Sequence, residues 1–167
     1  TSIMSSSGRR GLPGPTRAAR RALLQRPKRN ASRAELMAHM AATTRVIGSP
    51  AYPVSERLLY QRIEAALTRG SCPEGVARQM VAIAASGERT QLLPSISCPA
   101  LVIHGAADPL IPVACGIDTA ALIPGARLEV IEGMGHDMPP QLIERLLALI
   151  DGHLQGKMAP QMRSQPA

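Results

Sequence analysis

The sequence predicts an α/β fold in which an all-helical block is followed by a βαβα unit of a parallel sheet. Three observations predict it. Residues 16 to about 90 carry helix caps and breakers but no convincing strand. Pro99–Gly105 is a short, unbroken apolar run ending in glycine, the pattern of a strand covered on both faces. Beyond it, helical and strand patterns alternate to about residue 154, as in chains that build a parallel sheet.

The elements follow in order. Residues 1–15 read as the end of a core strand and a loop, closed by the breaker-rich Gly11-Leu12-Pro13-Gly14-Pro15. A first helix is expected from Thr16 to Gln25. The second opens on Ser32-x-x-Glu35, a capping box in which each side chain satisfies the other's free backbone N–H, and stops at Gly48-Ser49-Pro50. A third covers roughly Ser55 to Thr68. The fourth starts at Pro73, a favourable first helical position, and carries Val76, Met80 and Ile83 along one face. After the strand at 99–105 come a helix at about Val113–Ile123, a strand at Arg127–Ile131 and a last helix from Pro140 to about Leu154. That helix has Leu142, Leu146 and Leu149 in one stripe, with Ile143, Leu147 and Ile150 beside it, as expected of a face packed on a sheet. The expected organisation is 1–15 strand end and loop, 16–90 helical block, 91–154 βαβα unit and 155–167 flexible tail.

Composition narrows the function classes. The 167 residues include no Phe or Trp and only two tyrosines, so Leu, Ile, Val, Ala and Met must build the core. No apolar run reaches the roughly 18 residues of a membrane helix, and the first residues do not read as a signal peptide. Cys72, Cys98 and Cys115 have neither paired nor metal-type spacing, which suits reduced thiols in a cytoplasmic protein. The net charge of +7 is uneven: fifteen of nineteen basic residues and five of twelve acidic ones lie in residues 1–100. The densest stretch runs Arg17, Arg20, Arg21, Arg26, Lys28, Arg29, Arg33. It lacks interleaved aromatics, a phosphate loop and a zinc-type set, so a solvated basic face is favoured over nucleic-acid binding.

The chemistry concentrates in the βαβ unit. Consecutive parallel strands joined by one helix usually lie side by side, about 4.8 Å apart. Their carboxyl ends then meet at the rim where open α/β sheets place their sites. Asp108 follows the first strand in His104-Gly105-Ala106-Ala107-Asp108-Pro109, and His136 follows the second in Glu132-Gly133-Met134-Gly135-His136-Asp137. Alone, Asp108 reads as a turn residue and His136 as a loop residue. Together they form the acid and base pair that hydrolytic catalysis needs, the carboxylate orienting the imidazole and stabilising its protonated form.

Residues 99–112, with the strand and Asp108, resemble the acid loop of α/β-hydrolases, and Ala126–His136 resembles the strand and Gly-x-Gly-His loop that bring the histidine. The helical block is similar to the cap that precedes those strands. Thr44-Arg45-Val46-Ile47-Gly48-Ser49-Pro50-Ala51-Tyr52-Pro53 is similar to the branch that includes aclacinomycin methylesterase. The resemblance spans about residues 1–153 and implies a catalytic pair of Asp108 and His136, a small-molecule ester substrate, and neither metal nor organic cofactor. It also implies a nucleophilic serine in Gly-x-Ser-x-Gly, which occurs nowhere in the 167 residues. The chain is therefore expected to be truncated and inactive alone, with nucleophile and oxyanion hole upstream of Thr1. A dehalogenase or epoxide hydrolase with an aspartate nucleophile is the close alternative; a non-catalytic remnant acting as a basic binding module is the distant one.

Other polar residues are read more plainly. His104 is taken as strand-end packing, Asp137 as pointing away from His136, and Cys115 as a helix residue rather than a nucleophile. Met37, His39 and Met40 are taken as packing within the helical block, and His153 as solvent-exposed. Substrate identity and oligomeric state are not legible.

Overall fold

The computed structural model describes residues 1–28, 30–70 and 72–156. Arg29 of the basic stretch, and residues 157–167 of the expected tail, lie outside the described residues.

Three parallel strands form the sheet: β1 (Ser2–Ile3), β2 (Leu101–Gly105) and β3 (Arg127–Ile131), in the order β1-β2-β3. Their register pairs Ile3 with Ile103 and His104 with Val130. The central strand is buried along its whole length, which explains the unbroken apolar run in its sequence. Its side chains alternate between two layers. Leu101 and Ile103 join Ile131, Met134, Leu142 and Leu146 in one core, while His104 turns to the other side, against Gly116. Burying each such Leu or Ile contributes roughly 1.5–3 kcal/mol.

Between β1 and β2 the chain forms four helices: α1 (Arg17–Leu24), α2 (Arg33–Ile47), α3 (Glu56–Arg69) and α4 (Pro73–Ser86). Thr16 caps α1 by accepting from the Ala19 N–H. The Ser32–Glu35 capping box of α2 is complete, with both reciprocal bonds made. A second core of Ala41, Leu59 and Ile63 joins α2 to α3, with Met37 and Met40 packed against it, so both methionines serve as packing. The apolar face of α4, with Val76, Met80 and Ile83, is open to solvent, Val76 being 63% and Ile83 59% exposed. Periodicity reports that a helix has an apolar face, not that a neighbour covers it.

After β2 come α5 (Val113–Leu122), β3 and α6 (Ile143–Leu154), the last entered through a short 3₁₀ turn, Pro140–Leu142. Another such turn, Leu93–Ser95, precedes β2. On α6 the stripe divides: Leu142 and Leu146 are buried and Leu149 half-buried, whereas Leu147 is 60% exposed. His153 is half-buried rather than fully exposed. Among the described residues, no helix is long and apolar enough to cross a membrane.

Candidate active site

The register of β2 and β3 sets the geometry of the site. Gly105 pairs with Ile131, so both strands end level and their following loops leave the same rim. Two backbone bonds then join those loops, from Ala106 N–H to the Ile131 carbonyl and from Ala107 N–H to the Met134 carbonyl, each 3.0 Å. Asp108 is the next residue on one loop and His136 lies two beyond Met134 on the other.

Their side chains meet. Nδ1 of His136 lies 2.8 Å from Oδ2 of Asp108, across 28 residues of sequence. The second carboxylate oxygen accepts the N–H groups of Leu110 and Ile111, both at 2.8 Å, closing a turn around the acid. The Asp108 side chain is fully buried, whereas 24% of the His136 side chain is exposed. A buried carboxylate is expensive unless it is hydrogen-bonded, and three donors reach this one. A carboxylate only accepts, so the proton between the pair sits on Nδ1. Nε2 is left as the ring's proton acceptor.

The helical block holds the histidine loop. The C-terminal carbonyl of α2, at Ile47, accepts the His136 N–H at 2.7 Å. Ser49 Oγ accepts the Gly135 N–H at 2.9 Å and donates to Oδ1 of Asp137. Ala51 N–H reaches the Gly133 carbonyl at 3.2 Å. This close contact needs glycine at 135, where a Cβ would fall 2.3 Å from the Gly48 carbonyl oxygen. Asp137 is thereby engaged with Ser49 and not with His136. Sequence periodicity assigns Gly48-Ser49-Pro50 only a helix-ending role, since nothing local connects it with residues 133–137.

A cleft of about 480 Å³ opens beside this clasp. Its walls include Thr44, Tyr52 and Leu59 from the helical block, with Ala107, Pro109 and Asp137 from the loops that carry the pair. The ion pair of Arg45 with Glu56 lies at its side. That contact also raises the Arg45 guanidinium above its ordinary pKa, chiefly through the Glu56 hydrogen bond.

The remaining candidates lie elsewhere. Cys115 is buried in α5 with Sγ directed to the Pro13 carbonyl, and Cys72 and Cys98 are exposed and unpaired. Ser7, from the Ser5-Ser6-Ser7-Gly8 run, is buried and donates to Asp118 at 2.5 Å. Within the basic stretch, Arg33 bonds Glu64 and Lys28 reaches Glu35. Among the described residues, no three His, Cys, Asp or Glu side chains gather as metal ligands. His104 is more than packing: it is fully buried, and its Nε2 lies 2.8 Å from the Ile111 carbonyl and 3.7 Å from Oδ2 of Asp108.

No family model matches the sequence. Among solved structures, the chain is similar to a meta-cleavage product hydrolase from Pseudomonas fluorescens IP01, with TM-score 0.68, 17% identity, and 93% of this chain and 55% of that one covered. It is also similar to the 2-hydroxy-6-oxo-6-phenylhexa-2,4-dienoate hydrolase of Rhodococcus sp. strain RHA1 (TM-score 0.63, 16% identity, 92% and 53% covered). A thermophilic esterase from Thermogutta terrifontis aligns at TM-score 0.55 and 26% identity, covering 84% and 48%. The chain spans about half the length of these structures. Its helical block, followed by a βαβα unit with Asp108 and His136 at one rim of a parallel sheet, is a partial α/β-hydrolase fold.

Proposed function

We propose that this chain contributes the acid and base of a serine hydrolase acting on carboxylic esters of small molecules. The observation that carries the reading is the 2.8 Å contact between Nδ1 of His136 and Oδ2 of the buried Asp108. With Nδ1–H given to the carboxylate, Nε2 takes the proton of a serine hydroxyl as its oxygen attacks the ester carbonyl. The imidazolium, stabilised by Asp108, returns that proton to the departing alcohol. Water then repeats the sequence on the acyl-enzyme and releases the acid. The serine, in a Gly-x-Ser-x-Gly elbow, and the oxyanion hole come from a segment outside these 167 residues.

Residues 16–90 act as a cap in this reading, and the cleft between them and the Asp108 and His136 loops is the substrate pocket. The likeness of Thr44–Pro53 to the methylesterase branch and the esterase among the similar structures support an ester as substrate. The proposed reaction needs no metal or organic cofactor. Three unpaired cysteines support a cytoplasmic setting.

The test joins these residues to their nucleophile-bearing segment and follows p-nitrophenyl ester turnover. Turnover is expected in the joined protein, with labelling by a serine-directed fluorophosphonate, and is lost in His136→Ala. The 167 residues alone are expected to give none. Undiminished turnover in His136→Ala, or labelling that fails in an active protein, would refute the serine-hydrolase reading.

A further inference from the structure

His104 occupies an unusual position for a titratable side chain. It stands at the penultimate position of β2, wholly buried, on the sheet face covered by α5. The two ring nitrogens differ: Nε2 lies 2.8 Å from the Ile111 carbonyl, while the buried Nδ1 makes no hydrogen bond among the described residues. A carbonyl only accepts, so Nε2 carries a proton. A second proton on Nδ1 would be a buried donor with no acceptor among the described residues, which is costly. These contacts favour the Nε2–H tautomer of His104.

The ring has little freedom to leave that position. Gly116 of α5 lies against it so closely that a Cβ there would fall 2.3 Å from Nδ1. The glycine admits the ring from behind while the Ile111 carbonyl holds it in front. That same residue, Ile111, donates its backbone N–H to Oδ1 of Asp108 at 2.8 Å. Ile111 is thus pinned at its carbonyl by His104 and at its N–H by the carboxylate. Nε2 also lies 3.7 Å from Oδ2, the carboxylate oxygen that His136 contacts.

We propose that His104 is a positioning residue for the Asp108–His136 pair, acting through Ile111 to hold the carboxylate in the orientation that receives Nδ1–H of His136. It touches no reacting atom. Its relevance to turnover rests on the hydrolase reading, but its effect on the pair does not, so it can be tested without activity.

The experiment is nitrogen-15 and proton NMR of the histidine side chains in the 167-residue chain. In the unsubstituted protein His104 is expected as the Nε2–H tautomer, and His136 is expected to show a slowly exchanging, downfield Nδ1–H. His104→Leu is expected to lose the downfield His136 resonance while retaining its far-ultraviolet circular dichroism. His104→Gln, whose amide can donate from near the Nε2 position, is expected to restore it. A folded His104→Leu that keeps the His136 resonance unshifted would overturn the proposal, as would rescue by Leu and Gln alike. Should neither variant fold, the unsubstituted chain decides: an Nδ1–H tautomer or a doubly protonated His104 at neutral pH overturns it. A failed esterase assay with these signals intact would count against the hydrolase reading alone.

Discussion

Ser49 and Asp137, 88 residues apart, share a hydrogen bond in which the serine hydroxyl donates to the carboxylate, and that hydroxyl also accepts the buried Gly135 N–H. One side chain from the end of α2 thus satisfies two groups on either side of His136. Ser49→Ala leaves both without their partner, and an unsatisfied buried donor costs about 1–3 kcal/mol. The urea midpoint is expected to fall by the corresponding amount with an unchanged slope, since no additional surface is exposed on unfolding. A midpoint equal to that of the unsubstituted chain would mean that the clasp contributes nothing.

Asp108→Asn tests the pair from its acid side. The amide oxygen can still accept from Leu110 and Ile111, but its NH₂ group then faces Nδ1 of His136. The ring must offer a lone pair there, which moves its proton to Nε2 and removes the proton acceptor. Nitrogen-15 shifts are expected to report the exchanged tautomer, and kcat of the nucleophile-bearing protein is expected to drop by roughly 10⁴-fold, the cost of the wrong tautomer in a triad.

Two apolar substitutions separate covered from open surface. Ile103→Ala removes a fully buried side chain from the central strand and is expected to cost about 2–5 kcal/mol. Ile83→Ala, on the exposed face of α4, is expected to change stability by no more than about 0.5 kcal/mol. Denaturant unfolding of both variants measures the contrast, and a large loss for Ile83→Ala would mean that its face is covered in solution.

The capping box should respond to acid. Bonds from the Ser32 backbone N–H, the Ser32 hydroxyl and then Lys28 lower the Glu35 pKa from its ordinary 4.5. A depressed folded-state pKa stabilises the fold above the unfolded-state value, and the benefit disappears as pH falls through the folded value. The stability difference between the unsubstituted chain and Glu35→Gln is therefore expected to be full at neutral pH and to shrink below about pH 4.5. A difference that is constant down to pH 2 would contradict this.

Local chemistry alone determined much of this molecule. Ser32-x-x-Glu35 marks the start of α2 because the capping bonds lie within four residues, and Gly48 and Pro50 mark its end. The apolar run at 99–105 identifies a strand covered on both faces, and the strand–helix–strand order brings the Asp108 and His136 loops to one rim because parallel neighbours end together. Tertiary structure alone decided which faces have partners. It left the α4 stripe open, divided the stripe of α6, and set Ser49 against Gly135 and Asp137. It also turned His104 from an apolar-looking strand residue into a donor for Ile111. Capping and periodicity are energies of neighbouring residues and can be read along the chain. Burial and long-range hydrogen bonds depend on what the folded backbone brings alongside, and residues 49 and 135, or 104 and 116, carry no local mark of meeting.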